Sequence, residues 1–300
     1  MAKKVILFTP MDGHGHVNAC IGVAQVLLAK GHRIVFAVDA AWKGKLAKYG
    51  FEEQLISTDD KDDSEEFWPP FLAEHGGNIL GADPYDQIPF FSDFAMRAVF
   101  EHHKNTEPKL KEIIERVKPD LLVVDAYICS PSVTNSGIPW VWIFSAGPLL
   151  IVHDPEKLPP PGSGLSINSD KKEWEKHGLK SLEHHEKLFH VINDWVVAQG
   201  APPLQFPKIH PESPYLNIYF YPEEIDYLDV RPLPSNWHRF DSLVRQSDHE
   251  VFEIPEKLKN KPGKLIYLSM GSFASAYSPM MKMLVDKLKD SPHRFIVSKG

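Results

Sequence analysis

Three hundred residues with 43% hydrophobic content supply apolar material for a sizeable core, in one large or two ordinary domains of a soluble globular protein. A net charge of −7 with no basic block argues against nucleic acid as a partner. The two cysteines, Cys20 and Cys129, each lie in an apolar stretch, which excludes a disulfide framework and fits a reducing compartment.

Lys3 and Lys4 precede the short apolar run Val5-Ile6-Leu7-Phe8. The run is too short for a signal-peptide core or a membrane span, so a cytoplasmic protein with no membrane span is expected. It reads instead as a buried first strand. Residues 10–19 follow as a loop holding Gly13, His14, Gly15 and His16. Ile21, Val23, Ala24, Val26, Leu27 and Leu28 then mark a helix over 21–30 that Gly31 stops, and 34–38 forms a second strand. This strand–loop–helix–strand order opens a doubly wound α/β domain, whose ligands sit beyond the carboxyl ends of the strands. Glycines in such a loop let the backbone approach a substrate, and a histidine adds a group of pKa near ~6.5.

Three readings of the loop compete. Gly13-x-Gly15 matches half of a dinucleotide fingerprint, with Asp39 placed as its ribose-binding acid. Asn18 occupies the sixth position, however, and two imidazoles would crowd a pyrophosphate. The other readings are a turn with solvated histidines and a general base held over a cleft, and the residues alone leave these two open.

Gly15-His16-Val17-Asn18, with Pro10 before it and Leu28-Ala29-Lys30-Gly31-His32 after it, resembles the opening of the family 1 UDP-glycosyltransferases, and in particular bacterial macrolide and small-molecule glycosyltransferases. Ala19 stands where that family usually has Pro, a mild departure because Pro there serves the first helical turn. The resemblance implies that His16, not His14, is the catalytic base, and that Gly15 belongs to the donor site.

Further on, 40–49 reads as a short helix closed by Gly50, and 51–56 as a third strand. In the acidic run 59–66, Asp60-x-Asp62 formally matches a metal–nucleotide element of other glycosyltransferases, but a block of like charges is better read as a solvated loop. Phe67, Trp68, Phe71, Phe90, Phe91 and Phe94 are either core or the wall of an apolar acceptor pocket. Helices are expected over 91–106 and 108–117, with Pro108 opening the second. Residues 121–124 form a buried strand with Asp125 at its carboxyl end, on the same sheet edge as the His16 loop. A buried carboxylate there needs a partner. A helix cap would serve, as would an imidazole. The resemblance, carried by Val123-Val124-Asp125-Ala126-Tyr127, implies that Asp125 bonds His16, for which a separation of roughly 2.6–3.2 Å is expected. Gly137-Ile138-Pro139 leads into a strand over 140–145.

The pattern weakens over 146–200, apart from a helix over Lys171–Ala198 with Glu183, His184, His185 and Lys187 on its wet face. The pairs His102–His103 and His184–His185 are rejected as metal sites, because adjacent residues diverge on a helix. Residues 215–221 alternate as a strand, and 232–244 lead out of the domain. The expected organisation is an acceptor-binding Rossmann-like domain over 1–246, a charged linker over 247–262, and the start of a second Rossmann-like domain over 263–300. In the last segment, residues 263–272, with a strand near 265–269 followed by Gly271 and Ser272, resemble the family's first donor-domain strand and glycine turn, which implies that Gly271 and Ser272 contact donor phosphates. A helix from near Ser278 and a strand over 292–298 follow. The family's uridine-reading segment would lie beyond residue 300.

The fold expected from this resemblance is α/β, of the GT-B type. The implied function is inverting transfer of a sugar from a UDP-sugar to a hydroxyl or amine of a small lipophilic acceptor, with His16 as general base oriented by Asp125. The UDP-sugar is a co-substrate; no cofactor and no metal are called for. The alternatives are a non-catalytic acceptor-binding fragment and a nucleotide-sugar epimerase or binder of the same fold.

Overall fold

A computed structural model describes residues 2–57, 68–246 and 251–299. They pack as two units. The first takes residues 1–65 and 83–245, and the second takes 66–82 and 246–300.

In the first unit, β1 (Val5–Pro10), α1 (His14–Ala29), β2 (Arg33–Val38) and β3 (Glu52–Leu55) open the chain. The predicted helix between β2 and β3 is two single 3₁₀ turns, the second ended by Gly50 at φ 80°. After α3 (Pro84–Pro89) a π-helical turn over Phe90–Ala95 runs into α4 (Met96–Val117). Sequence reasoning divides this region at Pro108, whereas α4 runs through it. Pro108 removes one backbone donor, yet the helix continues; the Thr106 hydroxyl donates back to His102 O at 3.2 Å and His103 O at 3.0 Å. β4 (Leu121–Asp125), α5 (Pro131–Thr134), β5 (Trp140–Phe144), α6 (Lys171–Ala198) and β6 (Leu216–Phe220) follow, and β7 (Trp237–Phe240) supplies a strand within the stretch read only as an exit from the domain.

The seven strands lie in the order β3-β2-β1-β4-β5-β6-β7, and every neighbouring pair is parallel. Both faces of the central strands are covered, which is why β1, β2, β4 and β5 are nearly continuous in apolar residues, whereas the edge strands β3 and β7 are mixed. Leu7, Val35, Leu122 and Trp142 face Leu110 and Ile113 of α4. Ile6, Phe8, Phe36 and Val123 face Val17, Cys20 and Ala24 of α1. Cys20 and Cys129 are buried and free. The backbone after β7 crosses α1 at Gly22, where an added Cβ would lie 2.5 Å from Leu243 O.

The second unit holds α2 (Trp68–Leu80), the parallel pair β8 (Leu265–Leu268) and β9 (Arg294–Val297), α7 (Gly271–Ser275) and α8 (Ser278–Leu288). The Tyr277 ring rests on α2, so close that a Cβ at Gly76 would sit 2.5 Å from its Cδ2. Tyr267, Met270 and Met283 are exposed. No helix among the described residues is long and apolar enough to cross a membrane.

Candidate active site at the carboxyl edge of the sheet

The segment read as a histidine loop is helical sooner than expected. α1 begins at His14, seven residues before the predicted start, so Gly15 and His16 lie in its first turn. Gly13, the N-cap at φ 156°, turns the chain from β1 into the helix through a backbone setting that glycine adopts readily. His16 is therefore held by a helix rather than a loop. An added Cβ at Gly15 would meet nothing within 4 Å, so the missing side chain leaves open space over this turn.

Sheet register brings Asp125 to the same place. Pro10 pairs with Asp125 across the β1–β4 ladder, and Met11 N–H donates to Asp125 O at 2.8 Å. The Asp125 side chain is 1% exposed, and its Oδ2 lies 3.1 Å from His16 Nδ1. The first residue after β5 joins them. Ser145 Oγ lies 2.7 Å from His16 Nδ1, and Ser145 N–H donates to Asp125 Oδ1 at 3.3 Å. The Tyr127 ring meets the imidazole edge-on at 5.5 Å and packs in turn on Phe144 at 5.5 Å.

Burial is the largest influence on the His16 pKa and pulls it down. The charge and close contact of Asp125, with the charge of Asp12, outweigh burial and leave the pKa raised. Burial, reinforced by the charge of Asp125, pushes the Tyr127 hydroxyl and the Cys20 thiol up, so both stay neutral.

Beside this constellation is a cavity of about 40 Å³, with Asp12, Asp39, Val99, His102, Leu110 and Tyr127 among its walls. Asp39 follows β2 directly, on the sheet edge where Asp125 ends β4. It lies 3.3 Å from His102 Nε2, an imidazole–carboxylate pair rather than the ribose site of a dinucleotide fold. His103 turns elsewhere, to Cys129 O at 3.2 Å. His184 and His185 diverge likewise, to Asp93 Oδ2 at 2.8 Å and to Pro207 O, and both rings are half-buried rather than wet. Of the aromatic residues proposed for an acceptor wall, Phe90 and Phe94 pack on one another at 5.1 Å, and Phe91 and Phe94 are exposed. The acidic run, including Asp60 and Asp62, and Phe67 lie outside the described residues. Among the described residues no group of three His, Cys, Asp or Glu side chains is arranged to hold a metal.

Gly271 and Ser272 belong to the second unit and open α7 directly after β8. Gly271 has φ 73°, and its N–H donates to Ser269 Oγ at 3.2 Å. Met270 N–H donates to Ser275 Oγ at 2.9 Å, which closes the turn. Both Gly271 and Ser272 are exposed.

Sequence reasoning passed over Ser145, Asp12 and the Asp39–His102 pair as parts of one site. Ser145 was within reach of the logic that found Asp125, since it too follows a strand on this edge. Asp12 lay within the histidine segment itself, four residues before His16, whereas His102 carried no local signal, because only the tertiary fold brings α4 over β1 and β2.

No known family profile matches the chain. Over 142 residues, 47% of the chain, it is 26% identical to the anthocyanidin 3-O-glucoside 2''-O-glucosyltransferase of Ipomoea nil, and the match covers 28% of that protein. Among solved structures, the calicheamicin glycosyltransferase CalG4 superposes with a TM-score of 0.55 at 16% identity, over 100% of this chain and 65% of its own. The glycotransferase of kitacinnamycin does so at 0.56 and 15%, over 99% and 66%. The spinosyn forosaminyltransferase SpnP gives 0.52 and 15%, over 99% and 66%. The chain thus spans about two thirds of the length of the solved structures it matches, and its fold is that of the GT-B glycosyltransferases.

Proposed function

We propose that this protein transfers a sugar from a UDP-linked donor to a hydroxyl or amine of a small, lipophilic acceptor, with inversion at the anomeric carbon. The observation that carries the reading is the His16–Asp125 pair, 3.1 Å apart at the carboxyl edge of a parallel sheet, where such folds bind ligands. The fold shared with sugar transferases and the weak similarity to a plant glucosyltransferase support it.

In the proposed reaction His16 Nε2 accepts the acceptor's proton as the freed lone pair attacks the anomeric carbon. The bond to the leaving diphosphate breaks on the opposite side, and its electron pair departs with the phosphate oxygen. Asp125 favours the proton on Nδ1 and stabilises the imidazolium that forms. The open space over Gly15 suits close approach of a ligand to the first turn of α1, where the helix dipole favours an anion. Gly271 and Ser272 are assigned to the donor phosphates.

A second reading, an acceptor-binding module without transfer, draws on the second unit, where β8 and β9 form a two-stranded sheet among the described residues. Incubating the protein with a panel of UDP-sugars and phenolic or alcoholic acceptors, with product detection by mass, tests the proposal. Glycosylated product together with UDP release supports transfer. Acceptor binding with no product and no UDP affinity supports the module and refutes transfer.

A further inference from the structure

We infer that Ser145 is a positioning residue for His16, fixing the imidazole and Asp125 to one another so that Nδ1 holds the proton and Nε2 remains the base. The inference rests on the role proposed above for His16, but its evidence is independent geometry. Ser145 touches both partners through different atoms: its hydroxyl lies 2.7 Å from His16 Nδ1, and its backbone N–H donates to Asp125 Oδ1 at 3.3 Å. Asp125 Oδ2, although 3.1 Å from Nδ1, has no aligned hydrogen bond among the described residues. The directional contact at Nδ1 is therefore the one to Ser145, and Asp125 acts on the ring chiefly through its charge.

That division selects a tautomer. A lone pair on Nδ1 would face the Asp125 carboxylate at 3.1 Å, which is repulsive. With the proton on Nδ1, the ring donates to Ser145 Oγ, and the hydroxyl's own hydrogen is available to the carboxylate. Both oxygens address the same nitrogen, which rules Ser145 out as a nucleophile activated by His16: a hydrolytic triad places the serine on one ring nitrogen and the acid on the other. The serine backbone is held by its place after β5, whose Trp142 pairs with Val124 of β4. The other titratable groups near the pair are Asp12 before α1, whose charge acts on His16, Tyr127 after β4, whose ring meets the imidazole edge-on, and Cys20 one turn along α1, which feels the Asp125 charge.

The test is nitrogen NMR of histidine-labelled protein, which reads tautomer and titration without requiring turnover. Wild type is expected to show His16 with Nδ1 protonated and Nε2 bare. Ser145→Ala is expected to release the ring from its orientation toward the Asp125 carboxylate, so that the Nε2–H tautomer is populated and the His16 pKa falls, while Ser145→Thr keeps the wild-type pattern. If Ser145→Ala does not fold, Ser145→Cys, a weaker acceptor, is read for the same shift in smaller degree. In turnover, Ser145→Ala is expected to lower kcat about tenfold or more while the acceptor KM stays within about twofold, and Ser145→Thr to restore it. An unchanged tautomer and pKa in the folded Ala or Cys variant would overturn the positioning role, whether or not the protein transfers sugar. The expected tautomer shift with no transfer in wild type would uphold the positioning role and refute the proposed reaction.

Discussion

Met11 and Asp125 are joined by a 2.8 Å backbone hydrogen bond that extends the β1–β4 ladder by one rung. This rung fixes the strand-end carboxylate against the chain that climbs into α1 five residues before His16. The geometry of the site is consequently a matter of sheet register, and it should survive substitutions that leave the sheet intact.

His16→Ala is expected to lower kcat by about 10²–10⁴, the range for loss of a general base, while leaving the fold intact. His14, one residue into the same turn, packs edge-on against Trp42 at 5.1 Å. His14→Ala should cost stability more than turnover. Steady-state kinetics with thermal melts separates the two, and a larger kcat loss at His14 would reassign the base.

The pH dependence follows from the raised His16 pKa. The base must be neutral, so kcat should rise with pH along a limb above the ordinary value of ~6.5. Protonated His16 beside Asp125 stabilises the folded state. That contribution is fully present below the unfolded pKa and is lost as pH rises through the raised folded pKa. Asp125→Asn leaves burial unopposed by that charge, so the limb should move to lower pH and the stability trend should weaken or reverse. Melting temperature and kcat measured across neutral pH for both proteins check this, and an unmoved limb would remove Asp125 as the source of the shift.

Two glycines of α1 should respond oppositely. At Gly22 an added Cβ lies 2.5 Å from a backbone oxygen, so Gly22→Ala should destabilise by about 1–3 kcal/mol in spite of alanine's better helix propensity. At Gly15 the space is open, so Gly15→Ala should be neutral or stabilise by up to about 1 kcal/mol, yet weaken donor affinity. Denaturant melts and UDP-sugar titration read both effects. Unchanged donor affinity in Gly15→Ala would detach Gly15 from the donor site.

The second unit should exchange amide hydrogens faster than the first. A two-stranded sheet is marginal in water, and Tyr267 on β8 is 68% exposed, whereas β1 and β4 are covered on both faces. Exchange mass spectrometry should show weak protection over Leu265–Leu268 and strong protection over Val5–Pro10 and Leu121–Asp125. Equal protection would contradict this account of the second unit.

The parts of the fold legible in the sequence were those set by local pattern. The apolar runs of β1, β2 and β4, the stop at Gly31 and the long helix α6 were all readable. β7 was missed because Trp237–Phe240 is short and mixed, and becomes a strand only by pairing with β6. α4 runs through Pro108 because Leu110, Ile113 and Ile114 beyond it pack into the same core, a tertiary gain that local propensity does not register. His16 and Asp125 were identifiable as strand-end and loop residues with the family's motif around them. Ser145 follows a strand on the same edge but has no motif around it to mark it, and the Asp39–His102 pair depends on a helix that only the tertiary fold brings to β2.

The most direct test of His16 as base varies the acceptor rather than the protein alone. Transfer rates to a series of phenols of falling pKa are compared for wild type and His16→Ala, because an acidic acceptor needs little help in losing its proton. The account predicts a shallow dependence on acceptor pKa in wild type and a steep one in the variant, with the two rates converging at the most acidic phenols. Parallel lines, with His16→Ala slower by the same factor for every acceptor, would contradict proton abstraction by His16.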